Sequence, residues 1–160
     1  METIIRKVDK KIHYPVGYHI QHNISVIKAM SVTISNLIKD CSSNIRLVLC
    51  CRGSSGAIIA GIIACDFPKS IIYYVRKDEE QSHSSNAIEI NSDDVIIIVD
   101  DFISSGETIF SIYESIMNYA DNMKIFAIII GGDVFNNEIN RIKEVINPKY
   151  FVYNKRDENI

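Results

Sequence analysis

The sequence predicts a three-layer α/β domain: a mostly parallel central sheet, helices on both of its faces, and a small N-terminal flap. Two observations carry this. Short apolar runs rich in β-branched residues alternate with stretches of helical periodicity along most of the chain, the pattern of successive strand–helix–strand units. The strongest run, Val95 to Val99, is apolar at every position, as a parallel strand covered on both faces requires. No linker or low-complexity tract interrupts the alternation, so residues 1–160 read as one domain, with residues 1–22 as the flap or hood.

The elements follow in order. Asn23 to Lys39 is expected to be helical, because Val26, Ile27, Met30, Ile34, Leu37 and Ile38 recur at steps of three and four. Ile45 to Cys51 is a short apolar run with polar flanks and reads as a strand. The loop RGSSG separates it from a very apolar helix, Ala57 to Cys65. Ile71 to Val75 is a β-branched and aromatic strand. Arg76 to Ser92 is polar and aperiodic, and long for a connection within one domain; loops of that kind tend to serve function. After the strand Val95 to Val99 come a helix from Gly106 to Tyr119, a buried strand from Lys124 to Ile130 ended by Gly131 and Gly132, a helix from Asn137 to Val145, and a last strand from Tyr150 to Tyr153.

Composition narrows the function. Hydrophobic residues make up 47% of the 160 and charged residues 23%, which is enough to build a core without staples. The formal charge of −3 offers no basic excess for a nucleic-acid backbone, so no nucleic-acid partner is expected. No run of about 18 apolar residues occurs, so no membrane span is expected. The opening METIIRKVDKKIHYP is charged where the apolar core of a signal peptide would lie, and a cytoplasmic location follows as the expectation. Cys41, Cys50, Cys51 and Cys65 have neither CxxC spacing nor a disulfide framework and read as reduced, mostly buried thiols. His19 and His22 lack a carboxylate or cysteine partner at ligand spacing, so they read as ordinary histidines.

The chemistry sits at two strand ends that resemble each other. LVLCC runs into RGSSG and then AIIAG; VIIIVDD runs into FISSG and then ETIF. Each passes from a buried strand through Ser-Ser-Gly into a helix. Glycine permits the tight turn and close approach of a ligand, serine hydroxyls donate, and the free amides of a helix start attract an anion. Two such cradles suit a ligand with two separated phosphate groups, and Arg52 adds a fixed cation to the first. Between them Asp100 and Asp101 stand side by side. Adjacent carboxylates repel and resist desolvation, so they call for hydroxyl donors or a cation; a ribose diol with magnesium nearby meets that need. A lone Ser-Ser-Gly is ordinarily an N-cap and a lone Asp-Asp a solvated strand end. It is the combination that points to phosphoribosyl pyrophosphate.

Residues Val95 to Thr108, VIIIVDDFISSGET, resemble the signature of the type I phosphoribosyltransferases, a strand followed by two acids and then Thr-Gly-x-Thr, with Ser105 in place of the commoner threonine. CRGSSG is similar to that family's pyrophosphate loop and YYVRKDEEQSHS to the start of its mobile catalytic loop. The resemblance implies a phosphoribosyltransferase-like fold and a magnesium-dependent pentosyl transfer from phosphoribosyl pyrophosphate to a nucleobase, in a homodimer. It further implies that Asp100 and Asp101 hold the ribose hydroxyls. Ser104, Ser105, Gly106, Glu107 and Thr108 would grip the 5′-phosphate, and Arg52, Gly53, Ser54 and Ser55 would meet the pyrophosphate. Mg²⁺ would be held mainly by the donor's own oxygens, with Asp100 and Asp101 near it and no direct side-chain ligand assigned. A cis peptide at Cys51–Arg52 is expected on the same ground.

On the loop, Arg76, Lys77 and His83 would shield the leaving pyrophosphate. The acceptor base is less legible. Enzymes for 6-oxopurines usually carry aspartate at the place of Ser104, so the reading leans to orotate, with adenine-like purines open. Base contacts are expected from Tyr14, Tyr18 and the stretch from Asp133 to Phe135. The alternative function is a regulator that senses the same donor without transfer. A phosphoacceptor receiver domain fits poorly, since Asp133 and Lys149 do not supply its later residues, and neither a GxxxxGK[ST] nor a GxGxxG motif occurs. Lys77→Ala is expected to lower turnover far more than binding of the donor; equal losses in steady-state rate and in donor affinity would remove its assigned role.

Overall fold

The computed structural model describes residues 5–6, 24–41, 44–76, 89–119, 122–134 and 136–154. Within them strands and helices alternate as β1 (Ile5–Arg6), α1 (Ile24–Leu37), β2 (Leu47–Arg52), α2 (Gly53–Ala64), β3 (Ile71–Val75), β4 (Val95–Asp100), α3 (Glu107–Tyr119), β5 (Ile125–Asp133), α4 (Asn136–Val145) and β6 (Tyr150–Asn154). The strands form one six-stranded sheet in the order β1-β6-β5-β4-β2-β3, and every neighbouring pair is parallel.

Alternation along the strands sorts the core into two layers. Val95, Ile97 and Val99 of β4 join Leu47 and Leu49 of β2 under α1 and α2, where they meet Ile27, Ile34, Ile59 and Ile63. Ile96 and Ile98 face the other way, against Ile109, Ile112 and Ile116 of α3 and Ile139 and Ile142 of α4. All six β4 residues are buried, which is why that strand reads as an unbroken apolar run. Each isoleucine removed from water contributes roughly 1.5–3 kcal/mol, so the central strand anchors both layers.

The order of the strands also fixes where a ligand can bind. From β2 the chain crosses through α2 to β3 on one side; from β4 it crosses through α3 to β5 on the other. Right-handed crossovers in opposite directions put the two helices on opposite faces of the sheet. A crevice therefore opens between the carboxyl ends of adjacent β2 and β4, the switch point at which open α/β sheets bind their ligands.

Three expectations are corrected. The helix expected from Ala57 begins at Gly53: with φ +73° Gly53 makes the turn by itself, so Ser54, Ser55 and Gly56 belong to the first helical turn instead of a loop. There is no cis peptide among the described residues, so the Cys51–Arg52 bond is trans; Arg52 is extended (φ −142°, ψ 146°) and the reversal falls on Gly53. The strand expected to stop at Gly131 continues as β5 through Gly132 to Asp133. A Cβ on Gly132 would lie 2.8 Å from the carbonyl oxygen of Asp101, so glycine there marks a close approach of two backbones, not a break. Ile5–Arg6, the described part of residues 1–22, pairs in parallel with β6 at the sheet edge. Of the thiols, Cys50 and Cys51 are buried while Cys65 is exposed.

Gly132→Ala is expected to destabilise the protein by about 1–3 kcal/mol, since backbone and not a flexible side chain stands in the way. Gly61→Ala is the matched control: nothing lies within 4 Å of its added Cβ. In a helix interior that change is expected to stabilise by up to about 1 kcal/mol. Urea denaturation of both variants checks the pair of signs.

Candidate functional site

A cleft of about 240 Å³ opens at this switch point, lined by Arg52 to Ser55 from the start of α2 and by Asp100 to Ile109 from the end of β4 to the start of α3. Thus Arg52, Gly53, Ser54, Ser55, Asp100, Asp101, Ser104, Ser105, Gly106, Glu107 and Thr108, chosen from the sequence, lie together around one cavity. Arg76 lies outside that lining. It follows Val75, which pairs with Arg52, so it stands exposed at the same carboxyl edge of the sheet. Lys77, His83, Tyr14, Tyr18, His19, His22 and Phe135 fall outside the described residues.

The first helix start can attract an anion. Arg52 occupies the N-cap position of α2 and no side chain caps the helix, so its leading amides lack a side-chain acceptor. The Nε of Arg52 is itself buried and has no hydrogen-bond partner among the described residues. A buried donor without an acceptor costs about 1–3 kcal/mol, which an anionic ligand in the cleft would recover. Gly56 lets the helix pack tightly on β2: a Cβ there would sit 3.2 Å from the Cβ of Cys51.

The second start is built by the residues after β4. Ser104 and Ser105 are exposed, Gly106 takes φ +74°, and its carbonyl accepts from the amide of Phe110 at 3.0 Å to begin α3. An isolated parallel bridge between Ile103 and Val134 ties this segment to the end of β5. The buried Ile103 thus acts as a peg under an otherwise polar loop.

Asp100 and Asp101 separate the two helix starts. Each is only 6% exposed. The amide of Asp101 donates to Oδ1 of Asp100 at 2.9 Å, and the amide of Phe102 donates to Oδ1 of Asp101 at 3.0 Å. Burial, and then the neighbouring charge of Asp101, push the Asp100 carboxyl up to about 8, although the Asp101 amide works in the opposite direction. The effect reaches Cys51, whose thiol is pushed up to about 12 by burial and by the charge of Asp100. Cys51 is therefore a neutral, buried thiol behind the acids and no nucleophile. Arg52 is the one basic residue among those lining the cleft. Among the described residues no group of three or more His, Cys, Asp or Glu side chains could hold a metal ion alone.

Three lining residues were not singled out as site residues from the sequence: the buried Ile103 and Ile109, and Phe102. Phe102, directly after the acids, is 49% exposed and presents an aromatic ring at the mouth of a polar cleft. Its signal was an aromatic residue inside a strand-end loop where polar residues are usual, but it read as a spacer between the acids and Ser-Ser-Gly.

No protein-family model and no curated relative matches the sequence. Solved structures do match in fold. An adenine phosphoribosyltransferase from Giardia lamblia, complexed with 9-deazaadenine, superposes with a TM-score of 0.57 at 17% identity, covering 86% of this chain and 83% of its own. The adenine enzyme of Trypanosoma brucei, in complex with AMP, pyrophosphate and ribose-5-phosphate, gives 0.60 at 16% identity over 88% of this chain and 70% of that one. The xanthine-guanine-hypoxanthine phosphoribosyltransferase of Helicobacter pylori gives 0.53 at 11% identity over 88% and 86%. At such identities the likeness is one of architecture: the chain has the α/β fold of the phosphoribosyltransferases.

Proposed function

We propose that the protein transfers the phosphoribosyl group of phosphoribosyl pyrophosphate to a purine-like base, giving a nucleoside 5′-monophosphate and pyrophosphate. One observation carries the reading: a buried carboxylate pair stands between two helix starts in a single cleft, with an unpartnered Arg52 Nε at the first. The amides and hydroxyls of Ser104 to Thr108 would take the 5′-phosphate. Asp100 and Asp101 would accept from the ribose hydroxyls, and Arg52 with Gly53, Ser54 and Ser55 would take the pyrophosphate. The base nitrogen bonds to C1′ as the bond from C1′ to the pyrophosphate oxygen breaks, and the base loses its N–H proton. Arg52 meets charge that grows on the leaving oxygens, a contact worth most at the transition state.

Magnesium suits the same cleft. Asp100 is raised by burial and by the charge of Asp101, which a cation nearby would offset, and the protein offers no three-ligand cage among the described residues, so the ion would draw most of its oxygens from the donor and water, with Asp100 and Asp101 beside it. Bound there, it neutralises charge on the pyrophosphate. Arg76, Lys77 and His83 are proposed to cover the leaving group, and a homodimer and a cytoplasmic location remain part of the proposal. The purine-like acceptor is supported by the adenine and oxopurine enzymes among the fold neighbours and by the exposed ring of Phe102, against which a planar base can stack. Absence of aspartate at Ser104 favours adenine-type over 6-oxopurine acceptors, and orotate stays in the screen.

Pyrophosphate release from donor and Mg²⁺ is expected to depend on an added purine when adenine, hypoxanthine, guanine, orotate, uracil and nicotinamide are compared. Arg52→Ala is expected to lower kcat/KM by about tenfold or more. Donor binding without release from any base would favour the sensing role instead.

The pH dependence has a defined sign. Asp100 titrates near 8 when folded, against an ordinary 3.8. Between these values the folded chain keeps a proton that the unfolded chain has lost. Ligand-free stability is therefore full below the lower value and falls as pH rises through the window, by at most about 1.4 kcal/mol per pH unit. Denaturation midpoints measured between about pH 4 and 8 are expected to show this decline, and Asp100→Asn to flatten it.

A further inference from the structure

Behind the second helix start lies a charge arrangement that the proposed reaction does not use. Glu138, on the first turn of α4, reaches across to the loop: a Cβ on Gly106 would lie 2.8 Å from Glu138 Oε2 and 3.1 Å from Phe110 Cε2. This carboxylate is 18% exposed and pairs with Nη1 of Arg141, one turn along α4, at 3.4 Å. The Arg141 guanidinium also stands 4.3 Å over the ring of Phe110, on the first turn of α3. A negative charge is thus pressed against the backbone of the glycine in the middle of the loop, with a cation held beside it by an aromatic ring of the same helix start. The loop itself supplies Glu107 and no lysine or arginine between Asp101 and Phe110.

As a stability device the pair would count for little: it is an i,i+3 contact at 3.4 Å whose arginine is 57% exposed. Its place gives it a different consequence. A sugar phosphate held by the amides of Ser104 to Thr108 would feel Glu138 as a repulsive charge, and Arg141 as the charge that cancels it. Fixing Arg141 over Phe110 keeps the cancellation in position. We propose that Glu138 and Arg141 set the affinity of this loop for a phosphorylated sugar through their paired field, as positioning residues that do not touch it. The inference rests on the phosphate-binding role given to the loop above, and the experiment separates the two.

Wild type, Glu138→Gln, Arg141→Gln and the double variant are titrated with ribose 5-phosphate by calorimetry at about 0.1 M and about 1 M salt, where the Debye length falls from roughly 10 to roughly 3 Å. Arg141→Gln is expected to weaken binding about three- to tenfold, Glu138→Gln to tighten it about threefold, and the double variant to return near wild type, all with unchanged melting temperatures. The differences are expected to shrink at high salt. Unchanged or weaker binding by Glu138→Gln, or a double variant as weak as Arg141→Gln, overturns the inference while the loop's role stands. Should wild type itself fail to bind ribose 5-phosphate, the role of the loop falls and the inference with it. The sign for Glu138→Gln decides the matter even if Arg141→Gln does not fold.

Discussion

Two acids side by side at the end of a fully buried strand form an arrangement that folding alone does not favour. β4 delivers five apolar residues into both core layers and then, without leaving the sheet, Asp100; Asp101 follows at once. Each carboxylate takes a backbone amide, and burial together with the charge of Asp101 pushes the Asp100 carboxyl up to about 8. The fold around them supplies the tolerance. The parallel sheet fixes β4 between β2 and β5, and Gly132 brings the backbone of β5 against the Asp101 carbonyl. Acids held in place in the lining of a cleft are preorganised for a ligand that hydrogen-bonds to them.

The two helix starts flanking the acids share one cause. Each strand runs into a serine-rich segment that carries a glycine at positive φ, Gly53 in one and Gly106 in the other, and each helix then begins with its amides facing the crevice. Reversal of crossover direction between β2 and β4 sends those helices to opposite faces, so their starts converge on one cleft from either side. Arg52 and the acid pair then meet across it. The two helix starts and the carboxylates come together through the same topology, and the adenine phosphoribosyltransferases named above share the α/β architecture.

Much of this was legible in residues. The central strands β2 and β4 are apolar runs because they are buried on both faces, and α1, α3 and α4 carry their apolar positions at three- and four-residue steps. The strand-end motifs were legible for a chemical reason: acids, hydroxyls and glycines at the end of a buried strand are costly unless a ligand uses them. What was misread involved tertiary contact or a single dihedral angle. Gly53 to Gly56 has the composition of a loop, yet one residue at positive φ completes the turn and the rest is helix. Gly131 and Gly132 look like a stop, but the reason for Gly132 is a neighbouring backbone that sequence does not display. β1 is two residues long and has no periodicity to read. Phe102 sat between two motifs and was passed over, and Glu138 lies far along the chain from the loop it touches.

The central claim is that the acid pair and the amides at the start of α3 together grip one sugar phosphate. A crystal structure of the protein with phosphoribosyl pyrophosphate and magnesium tests it most directly. The expected result places the 5′-phosphate on the amides of Ser104 to Thr108, the ribose hydroxyls on Asp100 and Asp101, and the pyrophosphate against Arg52. Density for the donor elsewhere, or an empty cleft with both carboxylates turned into ion pairs of the protein's own, would contradict it.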